Sequence, residues 1–255
     1  MGPMSLEPIR PLIQTVLHAV GLEVRRAKNA NLEPYVLKNI LNTTGASIVL
    51  DVGANTGQYG DALLREGFNG TLVSFEAIPD VHGQLLEHAK RRSRSWLVAP
   101  CAALGSSNGQ IEINIAGNSV SSSILPITST HLDAWPQSKY VQKQIVNIAR
   151  LDEIAEPLIP ANGTMLIKVD TQGYELEVLK GASGLLGRTV ALQLELSLVP
   201  LYDGAPTMAE VILFAAAKGF ELHNLIPGFR DKRSGRLLQA DGFFVRGRDT
   251  PPLNA

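Results

Sequence analysis

Apolar residues change their period along this chain, and the changes divide it into elements. Between residues 5 and 22, Leu6, Ile9, Leu12, Ile13, Val16, Leu17 and Val20 recur at helical spacing, with Pro8 and Pro11 confining the helix. A second short helix is expected near 33–41, leading into Gly45. From Ser47 onward, short apolar runs alternate with amphipathic segments. The runs predict strands at 47–52, 71–76, 96–102, 111–115, 144–149, 164–169, 189–195, 220–226 and 242–246. The segments predict helices near 57–66, 79–92, 151–156, 174–182 and 207–219. Such alternation argues for an α/β domain around a mainly parallel sheet. Around the strand at 111–115, residues 105–140 are loop-rich with little clear periodicity, and long loops of that kind are more often functional than structural. The division expected is an N-terminal helical extension over 1–45, one domain over 46–248 and a tail over 249–255.

Composition narrows the class. A chain of 255 residues that is 45 % hydrophobic can bury the core of one enzyme-sized domain. Its net charge of −1 lacks the basic footprint of a nucleic-acid binder. Cys101 is the only cysteine, which precludes an intramolecular disulfide and fits a reducing, cytoplasmic setting. No stretch approaches the ~20 apolar residues of a membrane span, and no signal-peptide pattern opens the chain. The Asn-x-Thr triplets at Asn42, Asn69 and Asn162 are then read as chance. The stripe over 5–22 fits packing on its own domain or on a twin subunit in a homo-oligomer. A peripheral contact with a membrane or a lipid-linked acceptor is the alternative. Lys90, Arg91, Arg92 and Arg94 close a predicted helix, where cations complement its dipole.

The candidate chemistry begins at 48–60, IVLDVGANTGQYG. A buried run ends on Asp51, breaks into Gly53-Ala54-Asn55-Thr56-Gly57 and continues into a helix from Tyr59. In open α/β sheets ligands bind beyond the carboxyl ends of the strands, where the first turn exposes backbone N–H groups. Gly53 and Gly57 are expected to admit the ligand closely, because no Cβ stands in the way. A dinucleotide fingerprint would place glycine where Asn55 stands, and no Gly-Lys-Ser/Thr follows to make a P-loop. The loop suits a nucleoside with an amino-acid end and no pyrophosphate, which is the shape of S-adenosyl-L-methionine. A second run, Leu72 to Phe75, ends on Glu76, 25 positions after Asp51. That is near the ~20-residue spacing at which an acidic side chain accepts hydrogen bonds from ribose hydroxyls.

Here the chain resembles a named family. DVGANTGQYG, FEAIP at 75–79 and KVDTQGYELEVLKG at 168–181 are similar to segments of the FkbM-type methyltransferases. So are ALGSSNG at 103–109, NSVSSSI at 118–124, ELSLVPLYDG at 195–204 and QADGFFV at 239–245. Gln172 stands where many relatives carry Glu. The resemblance implies a Rossmann-like class I methyltransferase sheet with helices on both faces. It also implies O-methyl transfer from S-adenosyl-L-methionine to a sugar, glycolipid, polysaccharide or polyketide-type natural product. The cofactor-binding residues expected are Asp51, Gly53, Ala54, Asn55, Gly57, Tyr59, Glu76, Ala77 and Ala102. The serines Ser119, Ser121, Ser122 and Ser123 are candidates to touch the acceptor or the methionine end.

The remaining chemistry gathers at 168–175, where Lys168, Asp170, Gln172 and Glu175 crowd the end of a buried strand. A hydroxyl acceptor must lose its proton as the new bond forms, so a carboxylate or histidine base is expected. Asp170 is the first candidate, Glu195 the second and Asp241 the third. His223 lies in an alternating strand and reads more readily as structural. No His/Asp/Glu spacing marks a metal site. A nicotinamide oxidoreductase and a non-catalytic nucleoside-binding module on the same fold are the alternatives. The missing Gly-x-Gly-x-x-Gly argues against the first, and the rim carboxylates Asp51, Glu76 and Asp170 argue against the second.

Overall fold

A computed structural model describes residues 33–247. The 5–22 stripe and the 249–255 tail lie outside the described residues. Seven strands form the main sheet in the order β3-β2-β1-β7-β8-β10-β9. They are β1 (Ile48–Val52), β2 (Thr71–Phe75), β3 (Trp96–Val98), β7 (Met165–Val169), β8 (Thr189–Ser197), β9 (Phe220–Pro227) and β10 (Gln239–Arg246). Neighbouring strands from β3 across to β8 run parallel, and β10 runs antiparallel to both β8 and β9.

Burial of the sheet explains why its strands read as continuous apolar runs. On one face Leu50, Val73, Ile167 and Leu192 pack against α5 (Leu151–Ala155), α6 (Glu175–Lys180) and α7 (Met208–Ala217). On the other, Val49, Leu72, Leu166 and Phe243 meet α1 (Glu33–Thr44), α2 (Gln58–Arg65) and α3 (Pro79–Arg92). Helix α1 is thus part of the sheet's cover, through Val36, Leu37, Ile40 and Leu41. Thr207 caps α7 in a reciprocal box with Glu210, which fixes its start.

The centre of the chain departs from expectation. The strand expected over 96–102 stops at Val98, just before Ala99 and Pro100. Residues 103–149 build a second sheet, β4-β6-β5, from β4 (Ala103–Leu104), β5 (Gly109–Ala116) and β6 (Tyr140–Ala149). Its inner face packs Ala103, Ile113, Val146 and Ile148 on Ile78 and Val81 at the start of α3. The strand expected at 111–115 is β5, and the loop-rich stretch after it contains a short helix, α4 (Ser129–Ala134), capped by the Thr128 hydroxyl.

Register places a row of polar side chains across the apolar sheet. Ser74 pairs with Asp51, Asp51 with Lys168, and Lys168 with Gln193. All four are buried. Such groups are tolerated in a core only when they satisfy one another.

The loops after β1 and β7 touch at this switch in strand order. Gly53 has φ +76°, and a Cβ built on it would lie 1.9 Å from the Asp170 carbonyl oxygen. Its bareness lets the two loops meet. Gly57 and Gly60 likewise make room for the Trp96 ring, with built Cβ contacts of 2.9 and 2.3 Å. Gly53→Ala should therefore lower the melting temperature by several degrees, from clash and strain together. Gly67→Ala is the control: its φ is +88° and nothing lies within 4 Å of the built Cβ. It should cost only the backbone term of about 1–2 kcal/mol. Equal losses for the two variants in thermal unfolding would contradict the contact between loops.

Candidate functional site

A cleft of about 430 Å³ opens at the carboxyl end of the sheet, where β1 and β7 diverge in connection. Among the expected cofactor ligands, Gly53, Ala54, Asn55, Tyr59, Glu76, Ala77 and Ala102 line it. So do all three candidate bases, Asp170, Glu195 and Asp241. Asp51 and Gly57 do not. Ser119, Ser122 and Ser123 line one wall, and α1 adds Glu33, Pro34 and Leu37. His223 is exposed on β9, away from the cleft.

The first loop binds itself more than expected. The N–H groups of Gly53 and Ala54 donate to Phe75 O, Gly57 to Ala54 O and Thr56 to Asn55 Oδ1. Asn55, at φ +48°, donates its N–H to Glu76 Oε2 at 2.9 Å. The loop therefore offers a ligand its close backbone rather than a set of free amides. Glu76 Oε1 accepts the Ile78 N–H at 2.9 Å, so both carboxylate oxygens are fixed by the backbone. Each oxygen retains capacity for a second donor.

Asp51 sits beneath the loop, not at its lip. It is fully buried and accepts from Ser74 Oγ at 3.1 Å. Trp96 Nε1 donates in turn to that Ser74 hydroxyl at 3.0 Å. Lys168 Nζ lies 3.3 Å from Asp51 Oδ1 and 3.6 Å from Asp170 Oδ2. It also donates to the Gly53 carbonyl at 3.2 Å. The contact with Asp51 Oδ1 is an ion pair off the hydrogen-bonding direction, so that oxygen has no aligned donor. Burial alone would lower the Lys168 pKa, but the charges of Asp51, Asp170 and Asp241 outweigh it and keep the ammonium charged.

Beyond Lys168 the cleft is acidic. Among its described lining residues Lys168 is the only cation, against Glu33, Glu76, Asp170, Glu195 and Asp241. Glu195 and Asp241 face each other in the β8–β10 register, where like charges disfavour ionisation. Burial, then the charges of Asp170, Glu175 and Asp241, hold the Glu195 carboxyl well above its usual range. Burial, then Glu33 and Asp170, push Asp241 up to about 7. Gln172 spans the gap, donating from Nε2 to Asp170 Oδ1 at 2.8 Å and to Glu195 Oε2 at 2.9 Å.

Several neighbours are structural. Glu175 is buried and accepts the N–H groups of Thr171 and Gly173, both at 3.0 Å, which closes the turn before α6. Ser123 Oγ donates to the Gln172 carbonyl at 2.7 Å, tying the 117–125 segment to that turn. Ser121 is buried against Ser138. Two contributors went unnoticed in the sequence: Gln193 and Glu33, joined by Gln193 Nε2 to Glu33 Oε1 at 2.7 Å. Gln193 Oε1 also accepts from Tyr59 OH at 2.9 Å. Gln193 precedes Glu195 by two in a strand, so the period of two could have placed it on that face. Glu33 has no such local signal.

Residues 51–222 match the family described as the methyltransferase FkbM domain. No curated protein matches significantly. The chain is similar to magnesium protoporphyrin IX methyltransferase from Synechocystis, solved with bound S-adenosylmethionine, at 10 % identity and TM-score 0.47, covering 97 % of this chain and 86 % of that one. It is similar to precorrin-6y C5,15-methyltransferase from Geobacter metallireducens at 11 % identity and TM-score 0.45, covering 88 % and 94 %. For fibrillarin from Aeropyrum pernix the figures are 13 %, 0.44, 79 % and 66 %.

The raised Asp241 pKa makes stability depend on pH. The folded state favours the protonated carboxyl, with pKa about 7 against 3.8 for an ordinary aspartate. Its stabilising contribution is thus full below about pH 4, declines as pH rises towards 7, and is absent above. Asp241→Asn stays neutral throughout. It should raise the melting temperature by several degrees at pH 8 and by less at pH 5. A gain that does not grow between pH 5 and pH 8 would contradict the assignment.

Proposed function

The chain belongs to the FkbM methyltransferase family, whose methyl donor is S-adenosylmethionine, and we propose that it methylates a hydroxyl of a sugar, glycolipid or related natural product. The observation that carries this reading is the meeting of Asp170, Glu195 and Asp241 on one cleft with Gly53, Ala54, Asn55 and Glu76.

The donor set fits such a nucleoside. Glu76 presents a carboxylate fixed by two backbone N–H groups, suited to both hydroxyls of a ribose. Ala77, Ile78, Ala102 and Leu104 supply an apolar wall for a base. An acidic cleft also suits a ligand that carries a sulfonium and an ammonium group. When bound, S-adenosylmethionine supplies a methyl group on a positively charged sulfur, which departs as a neutral thioether without acid assistance.

The remaining work falls to this chain's own groups. The acceptor hydroxyl has to be held in line and relieved of its proton. Asp170 reaches the cleft with its side chain 39 % exposed, between Lys168 and Gln172. Glu195 also lines the cleft, and its one side-chain hydrogen bond among the described residues is to Oε2. Asp241, raised to about 7, ionises near neutral pH, where a base is most effective. We assign the base to Asp170 first, with Glu195 and Asp241 as its alternates. Carboxylates that accept hydroxyl donors are equally fitted to orient a polyol.

The test is methyl transfer from carbon-13-labelled S-adenosylmethionine to a set of methyl glycosides and amino sugars. The product methyl is then read by NMR. A methyl bonded to oxygen is expected. Label found only on nitrogen or carbon would overturn the hydroxyl assignment. With a working acceptor, Asp170→Asn should slow single turnovers by ~10²–10⁴. A wild-type rate in that variant would move the base to Glu195 or Asp241.

A further inference from the structure

Gln172 occupies a position that the methyl-transfer reading leaves without a task. Its backbone is left-handed, at φ +57°, one of three non-glycine residues so placed among those described. Such a conformation is costly for a side-chain-bearing residue and persists only where surrounding contacts impose it. Four hydrogen bonds do so. Nε2 donates to Asp170 Oδ1 and Glu195 Oε2. Oε1 accepts from Tyr202 OH at 2.6 Å, and the main-chain carbonyl accepts from Ser123 Oγ. Tyr202 is itself buried, packed edge-on against His131.

The amide has one workable orientation. Turned over, its oxygen would face two carboxylates and its NH2 group would meet the tyrosine. As placed, both amide hydrogens are spent on the two acids. These acids come from different strands, β7 and β8, and repel each other when ionised. A donor that cannot itself ionise favours the charged form of each. Asp170 has Lys168 on its other oxygen, so Glu195 depends more on the amide.

Resting on the reading that these carboxylates serve the acceptor hydroxyl, we propose that Gln172 is a positioning residue. Its amide holds the Asp170 and Glu195 carboxyl groups side by side and favours the charged form of Glu195, with its Oε1 end anchored by the Tyr202 hydroxyl. Glu195 is then available as a proton acceptor through Oε1, although it sits among other acids. The groups facing it are Asp170 from the loop after β7, Glu175 at the start of α6, Asp241 from β10 and Tyr202 from the loop after β8. Burial and the neighbouring acids drive the Glu195 carboxyl upward, and the Gln172 hydrogen bond is the contact that opposes them.

The proposal is tested without acceptor or donor, on the full chain. Glutamate carboxyl groups labelled with carbon-13 are titrated by NMR, and the Glu195 signal is assigned by its loss in Glu195→Gln. Gln172→Met, which keeps the length and removes both donors, should raise the Glu195 midpoint by about one pH unit or more. Tyr202→Phe should raise it by a smaller amount, because the amide then loses the hydroxyl that anchors its Oε1 end against the two acids. It decides the matter alone if Gln172→Met fails to fold. A midpoint unchanged or lowered in the folded variants overturns the proposal. A packing role alone would alter the melting temperature and leave the midpoint in place. Calorimetry of the wild-type chain with S-adenosylhomocysteine separates the two readings. Absence of that binding would count against methyl transfer and leave the carboxyl titration to stand on its own.

Discussion

One buried ammonium organises the carboxyl end of this sheet. Lys168 lies between Asp51 on β1 and Asp170 after β7, and it also binds the Gly53 carbonyl. A buried charge is costly to leave unpaired, commonly by 3–5 kcal/mol when one partner is removed. The pairing therefore locks the two loops in one arrangement. Ser74 and Trp96 extend the contact across β2 and β3, and Gln172 carries it to β8. The cleft walls are thus the ends of one polar chain that crosses an apolar sheet.

The same arrangement sets the chemistry. Among the described residues one cation serves five lining carboxylates, so part of their acidity is uncompensated. Glu195 and Asp241 take it up as raised proton affinity, and the Gln172 amide moderates it between Asp170 and Glu195. A glutamate at 172 would add a further negative charge between two acids in place of a donor. Such a change would make protonation of one member of the trio necessary.

Much of this was legible in the residues. Strands that end in Asp51, Glu76 and Asp170 announce a rim, because buried runs that stop on carboxylates must reach solvent or a partner. Helices with clear stripes, such as 79–92, fell where their period placed them. Less legible was anything that depends on register. Asp51 reads alike as a rim ligand and as a buried partner of Lys168; only the pairing of β1 with β7 decides. The glycines carry a second role for a related reason. Their bareness serves contacts with Asp170 and Trp96, distant in sequence. The second sheet did leave a signal. Ile111, Ile113 and Ile115 alternate with Glu112 and Asn114, the pattern of a sheet wet on one face, unlike the continuous runs of the main sheet.

Asn55 marks the difference between this cleft and a dinucleotide site. Its N–H is held by Glu76 and its side chain bonds Thr56 N and Ser119 Oγ, where a dinucleotide fingerprint would have glycine. The most direct measurement is calorimetric titration of the full chain with S-adenosylhomocysteine and, separately, with NAD. One-to-one binding of S-adenosylhomocysteine with no heat from NAD is the predicted result. Saturable NAD binding with no response to S-adenosylhomocysteine would contradict it.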